Sequence, residues 1–170
     1  QTMSSLRLLN ETSGSSVSAV QIENVFSEDF DVYKITMEHD GSTNSNGNLR
    51  YLGVNNARYQ LDKYTFASLY GYVHTTHNES KLEGTNNIQD AFANWTEGGS
   101  VTWIMNPYST SSYTYNITQS IGYGGTTTPA TPMRCIGVVA EQSRFTGFEC
   151  AIGTGTYGTI TIRTYGLRVD

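Results

Sequence analysis

Gly158-Thr-Ile-Thr-Ile-Arg-Thr-Tyr-Gly-Leu-Arg-Val-Asp170 alternates apolar and polar residues almost without a break. A period of two sends successive side chains to opposite faces, so this segment reads as a β-strand with one face buried. A sheet buries that face only against a second layer. The chain is therefore expected to be a β-sandwich whose final strand is tucked inside it, with function carried by loops and faces.

Outward from that strand, the same alternation recurs in short pieces. Asp31-Val-Tyr-Lys-Ile-Thr-Met-Glu38 sets Val32, Lys34, Thr36 and Glu38 against Tyr33, Ile35 and Met37. Further strands are expected at 5–9, 16–25, 49–54, 64–74, 100–105 and 112–123, then at 134–141 and 144–152. The segment 40–48, Asp-Gly-Ser-Thr-Asn-Ser-Asn-Gly-Asn, is a loop by composition. Helical spacing is confined to 86–94, enough for one or two turns. Residues 1–170 thus read as a single all-β domain, an antiparallel, jelly-roll-like β-sandwich of about eight to ten strands. The longest interruption, 75–99, is expected to be an inserted loop; loops beyond about 12 to 15 residues tend to be functional or disordered. His77, Ile88, Phe92 and Trp95 give it side chains that can pack. The Gly- and Thr-rich 124–132 reads as an exposed tip or an arm for oligomer contacts.

Only 15% of the residues are charged, the formal net charge is −5, and the ten Lys and Arg are scattered singly. Such a surface, solvated by hydroxyls and amides, suits an extracellular or virion protein. Without a basic stripe, nucleic-acid binding is not expected. No apolar run approaches the roughly 20 residues that cross a bilayer, and residues 1–30 lack the basic and apolar regions of a signal peptide.

If 134–141 and 144–152 form a hairpin around Gln142-Ser143, Cys135 faces Cys150 and Gly137 faces Phe148. A cross-strand disulfide and a pair of buried free thiols both fit that register, and a one-residue change in the turn separates the two cysteines.

The groupings that could carry chemistry lack what chemistry needs. Glu28, Asp29 and Asp31 form a solvated acidic turn without the converging oxygens of a cation site. His74 and His77 stand three apart, which sends them to opposite faces of a strand. No serine lies in a Gly-x-Ser-x-Gly elbow, and Ile121-Gly-Tyr-Gly-Gly125 opens no helix that could cradle phosphate. No catalytic residue, metal or cofactor is expected. The sequons at Asn10, Asn78, Asn94 and Asn116 are what chance provides in a chain so rich in Ser and Thr, and a glycan on Asn116 would need an outward face.

Aromatic residues are the remaining signal. Among the twelve tyrosines, those on strands, such as Tyr64, Tyr115 and Tyr123, are expected mainly to line the core. Trp95 and Tyr108, on loops, are the candidates for ligand or receptor contact, with His77 beside them, because Tyr and Trp offer a flat apolar face and a polar edge.

Several segments taken together resemble small virion structural proteins of tailed phages, particularly marine cyanophages. They are Val25-Phe-Ser-Glu-Asp-Phe-Asp-Val-Tyr-Lys-Ile35, Asn106-Pro-Tyr-Ser-Thr-Ser-Ser-Tyr-Thr114, Ile136-Gly-Val-Val139 with Phe145-Thr-Gly-Phe148, and 158–167. The resemblance implies a non-catalytic β-sandwich on the particle surface, as a head decoration, fibre or knob. It implies other virion proteins as partners and assembly as a homo-oligomer. A trimer is favoured because closed symmetry covers sheet edges. A host-surface glycan is a further candidate ligand, bound weakly by each copy and strongly by many.

Overall fold

The computed structural model describes residues 5–40, 47–71, 77–92, 96–124 and 130–168. Among these residues twelve strands build two sheets: β1 (Ser5–Val17), β2 (Ala19–Ile22), β3 (Val32–Asp40), β4 (Gly47–Leu52), β5 (Tyr64–Gly71), β6 (His77–Thr85), β7 (Ile88–Phe92), β8 (Glu97–Met105), β9 (Thr114–Tyr123), β10 (Thr131–Val139), β11 (Gly147–Ile152) and β12 (Tyr157–Arg168). The large sheet has the order β1-β12-β3-β8-β9-β10-β5-β6 and the small one β2-β11-β4-β7. Every strand pairing among the described residues is antiparallel. The all-β sandwich expected from 158–170 is what forms, and its closing strand lies between β1 and β3.

The strand count exceeds the expected eight to ten, and the two additional strands lie within 75–99. That interval is not a long inserted loop: it holds β6 and β7 and the start of β8. The turn of helix expected at 86–94 is instead β7, which pairs with β4. β6 is hard to see in the sequence for a physical reason. The small sheet is only half as wide as the large one, so β6 overhangs it and is exposed along both faces. A strand with no buried face has no need to alternate. Of the segment 124–132, residues 125–129 lie outside the described ones, while Thr131 and Pro132 begin β10.

Between the sheets, Tyr33, Ile35, Met37, Tyr64, Phe66 and Ile162 meet Ile22, Leu49, Tyr51, Ile88, Phe148 and Ile152. Two of the buried tyrosines, Tyr64 and Tyr33, use their hydroxyls to pin backbone. Tyr64 accepts from the Tyr51 amide (3.1 Å) and donates to the Tyr59 carbonyl (3.0 Å). Tyr33 accepts from the Ser27 amide (2.8 Å) and donates to its carbonyl (3.0 Å). Each arrangement satisfies buried groups that would otherwise cost about 1–3 kcal/mol.

The hairpin expected to join the cysteines does not form. β10 pairs with β5 and β9 in the large sheet, whereas β11 pairs with β2 and β4 in the small one. Gly137 therefore faces Phe66 and Asn116, while Phe148 lies between Ile22 and Tyr51. The cause is Phe145. It is fully buried and stacks on Tyr51 at 5.0 Å, anchoring the otherwise largely exposed 140–146 connection as it passes from the large sheet to the small one. Backbone bonds from Ala140 to Lys63, Phe145 to Pro107 and Thr146 to Leu52 hold that crossing.

Cys135 and Cys150 are consequently free, buried thiols in opposite sheets. Burial pushes Cys135 up to about 11 from an ordinary 9.0, and pushes Cys150 up as well. The fold thus favours the neutral thiol. That contribution is fully present below pH 9, the ordinary value, and is lost as pH rises from there toward 11. A thiol-reactive dye is expected to leave the native protein unmodified at neutral pH and to label both cysteines in denaturant. Labelling of the native state would overturn the buried placement.

Candidate functional site: the outer face of the large sheet

β8 and β9 are built inside out. On β9 the buried positions are Thr114, Asn116, Thr118 and Ser120, while Tyr115, Ile121 and Tyr123 are exposed. On β8 Ser100 and Thr102 are buried alongside Ile104, and Val101, Trp103 and Met105 stand on the outer face, only partly covered. Thr102 and Thr118 hydrogen-bond each other across the pair at 2.9 Å. Both side-chain polar atoms of Asn116 are buried without a hydrogen-bond partner. The expectation that strand tyrosines line the core holds for Tyr64 and fails for Tyr115 and Tyr123. Asn116 is fully buried, so its sequon has no outward face in the folded chain.

The register explains how apolar side chains accumulate outside. Residues directly opposite on neighbouring strands share a face. One row runs Tyr165, Lys34, Trp103, Ile117, Ile136, Ala67, and the next Leu167, Val32, Met105, Tyr115, Val138, Thr65. Of the eleven exposed large hydrophobics among the described residues, seven lie on this face: Leu6, Leu8, Leu69, Tyr115, Ile121, Tyr123 and Ile136. Charges border it. Arg163 pairs with Glu11 at 2.6 Å towards the β1 edge, and Lys81 with Glu79 at 3.2 Å on β6. A sheet face that exposes this many large apolar side chains marks a contact surface.

Along β5 the face is hollow. Thr65 and Ala67 form a low floor between Val138 and Ile136 of β10 and the longer side chains of β6, and beyond them the exposed Leu69 rises beside Arg134. Hollows of about 730, 380 and 340 Å³ adjoin here, the first two sharing Ala67, Lys81 and Ile136 and the last two sharing Leu69 and Arg134. His77 walls the far end, its Nδ1 standing 2.7 Å from where a Cβ on Gly71 would lie.

The residues singled out from sequence are not brought together. Tyr108 lies in the β8–β9 connection, at the opposite end of the sheet from His77 and four strands away. That amounts to about 20 Å along the strands and about 19 Å across them. The grouping of Tyr108 with His77 is therefore corrected: the antiparallel register puts them at opposite corners. Trp95 lies outside the described residues. Nor is the Tyr108 ring an open stacking platform, because it packs against the core and the Arg144 guanidinium covers it at 4.6 Å from the centroid. It lines a polar cleft of about 280 Å³ with Glu28, Asp31, Asn106 and Arg144. Among the described residues, no group of three or more His, Cys, Asp or Glu is arranged to hold a metal ion. Sequence reasoning misses the outer face itself. The Tyr-x-Ile spacing of 115–117 and the Ile-x-Tyr spacing of 121–123 contain it, but alternation alone does not say which set faces inward.

No family model matches the sequence, and no curated protein is similar to it at a significant level. Among solved structures, the exo-inulinase from Aspergillus awamori is 9% identical and aligns over 96% of this chain and 30% of its own, with a TM-score of 0.39. The PL-14 alginate lyase from Aplysia kurodai is 6% identical over 86% of this chain and 72% of its own, TM-score 0.33. A tail fiber protein from a phage of E. coli is 10% identical over 97% of this chain and 21% of its own, TM-score 0.28. This chain therefore spans less than a third of the exo-inulinase and about a fifth of the tail fiber protein. Likeness this slight says nothing about activity or partners here.

Proposed function

We propose that this chain is a non-catalytic virion structural protein of a tailed phage, displayed on the particle surface as a head decoration, fibre or knob module. The observation that carries the reading is the inside-out pair β8 and β9, which puts hydroxyls and an amide in the core and sets Tyr115, Ile121 and Tyr123 on the outside. Burying one such side chain is worth about 1.5–3 kcal/mol, so a sheet that leaves several exposed gains that energy only by meeting another surface. Assembly is the function such a face serves. Peptides of this chain are expected in purified particles of the phage that encodes it, at the abundance of a structural component. Its absence from purified particles would sink the proposal.

The second reading is a carbohydrate- or host-receptor-binding module, and it rests on the cleft beneath Arg144. There a guanidinium, the Glu28 and Asp31 carboxylates and the Asn106 amide surround one hollow, a donor and acceptor set suited to sugar hydroxyls. An antibody against the chain that blocks adsorption of the phage to its host would favour this reading over decoration.

A further inference from the structure

We infer that the outer face of the large sheet pairs with the same face of a second copy of this chain, about a two-fold axis running along β10. The inference deepens the assembly reading by naming the partner of that face. β9 and β5 flank β10 on either side, so such an axis lays β9 of each copy on β5 of the other. The registers then set large side chains over small ones in two rows, Tyr115 over Thr65 and Ile117 over Ala67, while the next row across β10 sets Gln119 over the exposed Leu69. Ile136, half exposed, meets its own copy on the axis. Two bulky side chains and a hollow of the same length, equidistant from one strand, are what an isologous contact requires, because one patch must complement itself.

The size is adequate. From β8 to β6 the face is five strands wide and four same-face rows long. At about 4.8 Å per strand and about 6.8 Å per row that projects to roughly 600 Å² per copy. Corrugation brings the accessible area toward the roughly 800 Å² per partner of a standard interface. The pairing is in twos, where the sequence reading favoured a trimer. It also carries a cost that identifies it. Arg134 is exposed and shares β10 with Ile136, so the axis brings two guanidinium groups together, and salt screens that repulsion.

Mass by light scattering coupled to size exclusion, at micromolar concentration and again after dilution, tests this. The wild-type chain is expected at twice its 18.7 kDa, with a dimer that tightens from low to high salt. Ile136→Asp is expected to raise the dissociation constant at least about a hundredfold, by placing two carboxylates on the axis. Ala67→Arg, which fills both grooves, is expected to do the same. Both positions are exposed, so circular dichroism should be unchanged. Leu8→Ser, on the same face but at the β1 edge, is expected to leave the dimer intact. A monomer or a trimer, a dimer that survives both substitutions, or one that weakens with salt would overturn the proposal. A chain that dimerises in this way yet is absent from purified particles would fail the virion reading alone.

Discussion

Replacing Glu149 by Ala is expected to cost about 3–5 kcal/mol of stability, the usual consequence of removing one partner from a buried charge pair. Glu149 stands on β11 between Gln21 of β2 and Arg50 of β4, which the register sets directly beside it on the outer face of the small sheet. Its side chain is only 1% exposed. The carboxylate accepts from Gln21 Nε2 at 2.9 Å, from Arg50 Nη1 at 2.7 Å, and from Arg58 Nε at 2.8 Å and Nη2 at 2.7 Å. One acidic side chain thereby joins β2, β11, β4 and the loop that follows β4. Without it, Arg50, whose side chain is 16% exposed, is left holding an unpaired charge, while Arg58, about half exposed, turns to water. Against a total stability of about 5–15 kcal/mol, the loss should move the urea midpoint down by roughly 1–3 M. Removing both ends of the buried pair, with Glu149→Leu and Arg50→Met together, is expected to cost much less, because no charge is then stranded. Equal losses for the single and double variants would show that packing, and not charge, accounts for the site.

Gly147→Ala is expected to cost about 3 kcal/mol or more, at the upper end of what overpacking does. A Cβ at Gly147 would lie 2.1 Å from the Ile22 carbonyl oxygen and 3.2 Å from the Glu23 Cα. Those are backbone atoms, so no rotamer change relieves the contact. The end of β2 crosses here on the way to Val25 and Phe26, whose amides both bond the Thr146 carbonyl, at 2.8 and 3.1 Å. Moving it disturbs Phe26, which stacks on Phe148 at 5.8 Å and meets Tyr33 edge-on at 4.7 Å. Gly53→Ala is the control. Its nearest neighbour would be the Ala57 carbonyl at 3.8 Å, an ordinary contact, and the change should stay within about 0.5 kcal/mol. Thermal melts of the two variants would separate crowding from the general loss of glycine.

Much of the architecture is legible without coordinates, and particular residues show why. The alternation of 31–38 belongs to β3, where Tyr33, Ile35 and Met37 are indeed buried. Local sterics and a one-sided core write that pattern directly into the chain. β6 carries no such mark because it overhangs the small sheet, and β7 reads as a turn of helix because Ile88, Ala91 and Phe92 stand at i, i+3 and i+4, a spacing that the left-handed backbone of Asp90 (φ 53°) allows within a strand. The Cys135–Cys150 register fails through one residue, Phe145, whose burial is invisible until there is a core to receive it. Glu149, flanked by Phe148 and Cys150, gives no sign that Arg50 and Arg58 converge on it from separate parts of the chain.

What the sequence alone determined is the all-β class and the strand content of most of the chain, because a period of two is a local property of each segment. What only the tertiary structure decided is which strands are neighbours and which set of each alternation faces inward. For β9 the local preference would bury Tyr115, Ile117 and Ile121. Its neighbours decide otherwise. Hydrogen bonding sets Asn116 beside Ile104 of β8 and Gly137 of β10, and sets Thr118 beside Cys135, so the inward faces of those strands become the inward face of β9. In a paired sheet the orientation of a strand is shared across the ladder, and the sum over neighbours outweighs the preference of any one. That shared constraint is what leaves an apolar surface outside, where another surface can cover it.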